Sequence, residues 1–221
     1  MRGLHHLVWR FIASTSMIEI RIHGRGGQGV VTAAELIAVA AFYDEKFSQA
    51  FPSFGVERRG APVEAYTRIG DKFINRRWHI YEPDFIIVQD ATLLGAIDVF
   101  KGAEENTLVI INTEKNLKEL KGLSKGLHIK TVPATQIALD ILGRPIINTI
   151  LLGAFAGMTK LLKPSSLEKA IRERFKGEIG EKNIKAMKTA YCHTNPDDKY
   201  CYLTKEAKIP LDSKQKFAVT T

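Results

Sequence analysis

The sequence predicts an α/β domain built on a mostly parallel sheet flanked by helices, with an antiparallel hairpin inserted into it. Three observations carry that prediction. Residues 18–22 alternate Ile-Glu-Ile-Arg-Ile and run straight into a glycine loop, after which residues 30–42 become Ala-rich with apolar residues at helical spacing. Residues 85–90 and 108–112 are short β-branched apolar runs, each ending in a polar residue. Segments of helical period then alternate with strand-like ones, the order expected of parallel strands joined by crossover helices. Strand, glycine loop and helix in succession give the pattern a Rossmann-like opening.

Taken in order, the segment around 47–51 reads as a second strand, followed by the irregular loop 52–60. Residues 64–69 and 73–78 flank Gly70-Asp71-Lys72, turn residues that predict a tight hairpin between them. The runs 85–90 and 108–112 read as central strands buried on both faces, with an active-site edge at their carboxyl ends. A further strand at 128–132 leads through Pro133 into a helix ending near Gly143. Residues 146–161 predict a long apolar helix, Pro164-Ser165-Ser166 with Glu168 starts another, and 181–191 gives a last amphipathic helix with Ile184 and Met187 inward.

The boundaries follow from the same reading. Residues 1–16 imitate a signal peptide, but Arg10 cuts their apolar core and Met17 stands directly before the first strand. They are read as an N-terminal extension, 17–191 as the domain, and the polar, aperiodic stretch 192–221 as a C-terminal tail.

Composition narrows the function classes. With 45% hydrophobic residues in 221, the chain can bury a full core, which excludes disorder and a disulfide-stapled miniprotein. No run reaches the roughly 18 apolar residues of a spanning helix, so no membrane role is expected. The only cysteines are Cys192 and Cys201, too few to ligate an iron-sulfur cluster, and a reducing, cytoplasmic setting is the default. A metal site on Cys192, His193 and Cys201 would have the wrong spacing for common zinc modules, and none is assigned. The formal charge is +8. Part of it is local, since residues 51–80 hold six cations against three anions.

Two loops carry chemistry. Gly24-Arg25-Gly26-Gly27-Gln28-Gly29 matches G-x-G-x-x-G between a strand and a helix, where glycines permit close backbone approach and the helix start offers N–H groups to an anion. A dinucleotide site would also want an acidic ribose partner at a strand end about 20 residues on. Asp44 and Glu45 have that spacing but sit in a turn, so a nicotinamide cofactor is not expected. The second loop holds Arg58 and Arg59 between Gly55 and Gly60, two planar forks able to grip phosphates or a partner's carboxylates. Arg68, Arg76 and Arg77 follow on the predicted hairpin, where 76 and 77 must point to opposite faces.

Together, the run 18–35 through the glycine loop, the run 49–62 with Phe51-Pro52-Ser53-Phe54-Gly55 and Glu57-Arg58-Arg59-Gly60-Ala61-Pro62, and Tyr81-Glu82-Pro83-Asp84 before a strand resemble the gamma subunit of 2-oxoacid:ferredoxin oxidoreductases. The resemblance spans about residues 17–191 and is nearest to the pyruvate or 2-ketoisovalerate type. It implies an enzyme active only as an assembly of gamma with alpha, beta and delta subunits, which decarboxylates a 2-oxoacid oxidatively onto coenzyme A and reduces ferredoxin. Thiamine diphosphate, Mg2+ and 4Fe-4S clusters then reside in the partner subunits, and this chain alone holds no cofactor, metal or catalytic residue. In fused members of the family the corresponding domain lies over the active centre and helps hold coenzyme A. The resemblance therefore makes Gly24, Gly26, Gly27, Gln28, Gly29, Arg58 and Arg59 candidates for the coenzyme A phosphates. Two other readings stand beside it: a stand-alone nucleotide-binding oxidoreductase, and a nucleic-acid-binding protein, against which the interspersed acids argue.

Overall fold

A computed structural model of the chain describes residues 17–53, 59–120, 123 and 126–203. The N-terminal extension, Arg58 and residues 204–221 lie outside the described residues. Six strands, β1 (Met17–Arg25), β2 (Phe47–Pro52), β3 (Pro62–Gly70), β4 (Phe85–Val88), β5 (Leu108–Asn112) and β6 (His128–Val132), form one sheet in the order β2-β3-β1-β4-β5-β6. The β1-β4-β5-β6 part is parallel, and β2-β3-β1 is antiparallel. The predicted fold class therefore holds.

The helices are α1 (Val30–Tyr43), α2 (Ala134–Leu142), α3 (Asn148–Thr159), α4 (Pro164–Arg174), α5 (Gly177–Thr194) and α6 (Lys199–Leu203). Alternation along the strands sorts side chains onto two faces. Ile20, Ile22, Phe85, Ile87 and Ile110 pack with residues of α1 to α5 in the main core. Ile86, Val88, Val109 and Ile111 face the other way, onto Leu93 and Val99 of the segment after β4. β4 is buried throughout, as its unbroken apolar run predicts. Helix α3 crosses α5 closely enough that a Cβ on Gly153 would fall 2.1 Å from the Met187 carbonyl oxygen, so only glycine fits the contact.

The hairpin of the sequence reading is different. The strand at 64–69 exists, but its antiparallel partners are β1 and β2. With both edges of β3 occupied, residues 73–78 have no edge to bond. They run instead as an irregular strap over the polar face of β1 and β3. Arg68 anchors that strap. It is fully buried, its Nε donates to Glu19 at 2.7 Å, and Nη2 donates to the Trp78 carbonyl at 2.7 Å. Phe51 and Trp78 rings lie 5.0 and 5.9 Å from the guanidinium carbon. Arg76 adds a 3.8 Å ion pair to the same Glu19. The local cation excess read from the sequence is thus smaller at the surface, because Arg68 is spent inside.

The start of the expected tail is folded. Helix α5 continues to Thr194, and α6 packs back on it through a Cys192–Cys201 disulfide, which the sequence reading did not assign. The Tyr191 hydroxyl donates to Asp198 at 2.9 Å, and the Tyr200 hydroxyl donates to Glu168 of α4.

Candidate functional site

The carboxyl ends of β1, β4 and β5 meet the starts of α1, α2 and α3 at one edge of the sheet. There β1 passes from Gly24 and Arg25 into the loop, and α1 begins at Val30 with Gly29 as its N-cap. Gly29 has φ +75°, a left-handed conformation that side chains disfavour, and it supplies no capping side chain. The first intrahelical bond is Ala33 N–H to the Gly29 carbonyl, so the amides of Val30, Val31 and Thr32 precede it. No acidic residue stands in that first turn. Helix-start amides left free in this way, with no acid beside them, favour an anion.

A second helix start converges on the same point. Asn148, first residue of α3 and buried, places its Nδ2 2.7 Å from where a Gly29 Cβ would sit, while its Oδ1 accepts the Thr149 N–H at 2.9 Å. Asn112, ending β5, accepts the Thr135 N–H of α2 at 3.2 Å and donates to the Gln89 carbonyl at 3.0 Å. Strand end and helix start are tied side chain to backbone.

The two loops singled out in the sequence are locked together. Gly26 N–H donates to the Ala61 carbonyl at 2.9 Å, and Gly60 N–H donates to the Gly26 carbonyl at 3.1 Å. This brings Arg59, which is exposed, beside Gly27: its Cγ is 3.9 Å from the position of a Gly27 Cβ. Gly24, Gly26, Gly27, Gln28, Gly29 and Arg59 thus share one edge.

Gln28 plays an inward part. Its Oε1 accepts the Arg25 N–H at 2.7 Å, and its Nε2 donates to Asp90 at 3.0 Å. Arg25 also reaches Asp90, at 3.1 Å, and the Thr92 hydroxyl at 2.7 Å. The side chains of Arg25 and Gln28 are therefore held by Asp90 and Thr92. Burial alone would raise the Asp90 carboxyl; hydrogen bonds from Thr92 and Gln28 and the charge of Arg25 outweigh it and hold the group below the usual carboxylate value. Beneath the loop, Gln89 is buried with both side-chain polar atoms lacking a protein partner.

Asp44, whose spacing suits a ribose partner, is used elsewhere. It accepts the Lys163 N–H at 2.9 Å and the Ser166 hydroxyl at 2.7 Å, capping the start of α4. Among the described residues no three His, Cys, Asp or Glu side chains come together to hold a metal ion.

His23, two residues before the loop's first arginine, sits on the other face. Its Nε2 accepts from Arg21 Nε at 3.1 Å and its Nδ1 lies 3.5 Å from Glu64. Burial, aided by the Arg21 charge and opposed by Glu64 and Asp98, pushes it down to about 4. Because the native group binds its proton less tightly than the unfolded one, its stabilising effect is complete above about 6.5 and fades as pH falls toward 4. Chemical denaturation at stepped pH should show stability dropping across that window, and His23→Gln should flatten the drop. An equal slope in wild type and variant would contradict this account.

Asp90, Thr92, Asn112 and Asn148 were not named as site residues by sequence reasoning. The polar residues ending the two central strands signalled Asp90 and Asn112. Asn148 showed only as an interruption in an apolar run.

Residues 19–192 match the family described as pyruvate ferredoxin/flavodoxin oxidoreductase. The chain is 58% identical over 175 residues to pyruvate synthase subunit PorC of Methanocaldococcus jannaschii, covering 79% of this chain and 96% of that protein. It is 55% identical over 179 residues to the pyruvate/ketoisovalerate oxidoreductases common subunit gamma of Pyrococcus furiosus, again 79% of this chain and 96% of the relative. The crystal structure of pyruvate oxidoreductase subunit PORC from Thermotoga maritima superposes with a TM-score of 0.71 at 36% identity, covering 80% of this chain and 96% of that one. In fold alone, a 2-oxoglutarate:ferredoxin oxidoreductase from Magnetococcus marinus is also similar, with a TM-score of 0.65 at 17% identity over 87% of this chain and 32% of that one. The chain belongs to the pyruvate ferredoxin/flavodoxin oxidoreductase family, as a gamma subunit of the pyruvate/ketoisovalerate type.

Proposed function

We propose that this gamma subunit holds the phosphates of coenzyme A at the glycine loop and the Arg58-Arg59 pair, presenting the thiol carrier to the active centre of the assembled oxidoreductase. The observation that carries the reading is the convergence at Gly29 of two helix starts, with Arg59 fixed alongside by the Gly26–Ala61 and Gly60–Gly26 hydrogen bonds. A pyrophosphate with a 3'-phosphate suits backbone N–H groups plus guanidinium forks. The Magnetococcus marinus enzyme, alike in fold, was solved with coenzyme A and succinyl-CoA bound.

In this reading Gly24, Gly26, Gly27 and Gly29 shape the backbone cradle, and Gln28 positions it through Asp90. Thiamine diphosphate with Mg2+ and the 4Fe-4S clusters, in alpha, beta and delta partners, supply decarboxylation of the 2-oxoacid and electron transfer to ferredoxin. This chain contributes orientation, which raises the effective concentration of the thiol. The complex works in the cytoplasm; among the described residues no helix is long and apolar enough to cross a membrane.

A charge-assisted hydrogen bond to an ionised group contributes about 1.5–3 kcal/mol, roughly a ten- to hundredfold change in affinity. Arg59→Ala, or Arg58→Ala, in the assembled complex should raise the coenzyme A KM on the order of tenfold or more and leave 2-oxoacid saturation nearly unchanged. Steady-state titration of each substrate checks this. Unaltered coenzyme A dependence in both variants would remove the arginines from the site.

A further inference from the structure

The strap over the polar sheet face leaves large aromatic rings in solvent. Phe73 is 78% exposed, Trp78 55% and Tyr81 66%, and Phe47 at the start of β2 is 48% exposed. They fall into two groups, the second joined partly through the buried Arg68 and Tyr66. Phe47 meets Phe73 edge-on at 6.4 Å; Arg76 and Arg68 both lie against Trp78; Arg68 also lies on Phe51, which packs on Tyr66 at 5.1 Å; Tyr66 stacks on His79, whose ring lies tilted 6.5 Å from Tyr81. The two groups together lie along β2, the outermost strand of the sheet, from Phe47 at its start to Phe51, and make one strip with the strap. Lys72, Arg76 and Arg77 are exposed along it. Aromatic and arginine side chains concentrated on one patch mark a protein contact more than a solvated surface.

We propose that this strip is the docking surface for a catalytic partner subunit of the same oxidoreductase, one that meets it with a carboxylate-bearing, partly apolar face. Charge selects that occupant. Arg76 is paired with Glu19, and Asp71 with Lys46, so on the strap Lys72 and Arg77 are opposed only by Glu82, and a second copy of this chain would bring cations against cations. Continuity selects it too. Phe51 lies two residues before Ser53, whose N–H bonds the Glu64 carbonyl, and Gly60 and Ala61 further along are bonded to the glycine loop. A subunit seated on the strip stands beside the proposed coenzyme A cradle. The inference rests on the subunit role proposed above, because the cradle holds the carrier and the partner must bring the reacting centre to it.

The test uses the whole complex, co-expressed with its own other subunits and purified through a tag on one of them. Phe73→Ser, Arg77→Glu and Tyr81→Ser are combined in this chain, with Ile179→Ser, a 63% exposed position on α5, as the control. Retention of the native circular dichroism and melting temperature is checked first, and single Phe73→Ser and Arg77→Glu chains serve if the triple variant melts early. The expected result is at least roughly tenfold weaker association for the strip variants and wild-type association for the control. Wild-type association by the folded strip variants overturns the proposal. So does light scattering that shows the isolated chain as a dimer which the variants dissociate, since the occupant is then a second copy. Coenzyme A saturation of the remaining complex is recorded in parallel. It reads the cradle, so weaker association with unchanged saturation supports the strip whether or not Arg59→Ala moves that saturation.

Discussion

Arg68→Ala is expected to lower the stability of the chain by about 3–5 kcal/mol, because removing one partner of a buried pair leaves the other charge uncompensated. Glu19 would keep only Arg76, which is half exposed and 3.8 Å away. The carbonyls of Arg76 and Trp78 would lose a donor, and the Phe51 and Trp78 rings would lose the flat cation between them. Arg68→Lys should recover little of this, since a single ammonium cannot reproduce a fork that bonds in several directions within one plane. Urea unfolding followed by circular dichroism measures the loss, and Trp78 fluorescence should shift as the strap lifts. A loss below about 1 kcal/mol, typical of an exposed pair, would mean that Arg68 does not anchor the strap.

Gly29→Ala has the second largest expected effect, and it acts on fold and site together. A left-handed backbone costs an alanine about 1–2 kcal/mol. The new Cβ would also fall 2.7 Å from Asn148 Nδ2, so that side chain must turn away from the α1 start. Stability should fall by roughly 2 kcal/mol. In the assembled complex the coenzyme A KM should rise on the order of tenfold while the 2-oxoacid KM holds, because the strained Gly29 re-aims the amides that receive the phosphates in the reading proposed above. Denaturation and two-substrate kinetics separate the parts. A destabilised complex with normal coenzyme A saturation would show that the helix starts do not touch the carrier.

Most of the fold was legible where periodicity is local. Strand β1, the glycine loop and α1 follow from alternation and composition alone, as do β4, β5 and β6. The failures share one cause. Residues 73–78 have a turn before them and a strand's length, yet the edge they would need was taken by β1 and β2, which only the assembled sheet decides. Arg68 reads as one more surface cation until the Glu19 carboxylate and two rings close around it. Cys192 and Cys201 look like tail residues because the turn returning α6 to α5 leaves no periodic signal. At the site, the glycine loop and Arg59 were readable as chemistry, and their adjacency was suggested by family resemblance. Asp90, Asn112 and Asn148 were harder. Each is a single polar residue whose role exists only because separate strand and helix ends meet.

The pair of backbone hydrogen bonds between the glycine loop and residues 60 and 61 has a thermodynamic consequence. Loops that close around a ligand lose backbone freedom at the moment of binding, and that loss subtracts from affinity. Here Gly26 and Gly60 are already fixed to each other, and Gln28 and Arg25 to Asp90, in the chain without ligand. An anion arriving at this edge meets a glycine loop already fixed to residues 60 and 61, so less of its contact energy is lost to ordering that backbone.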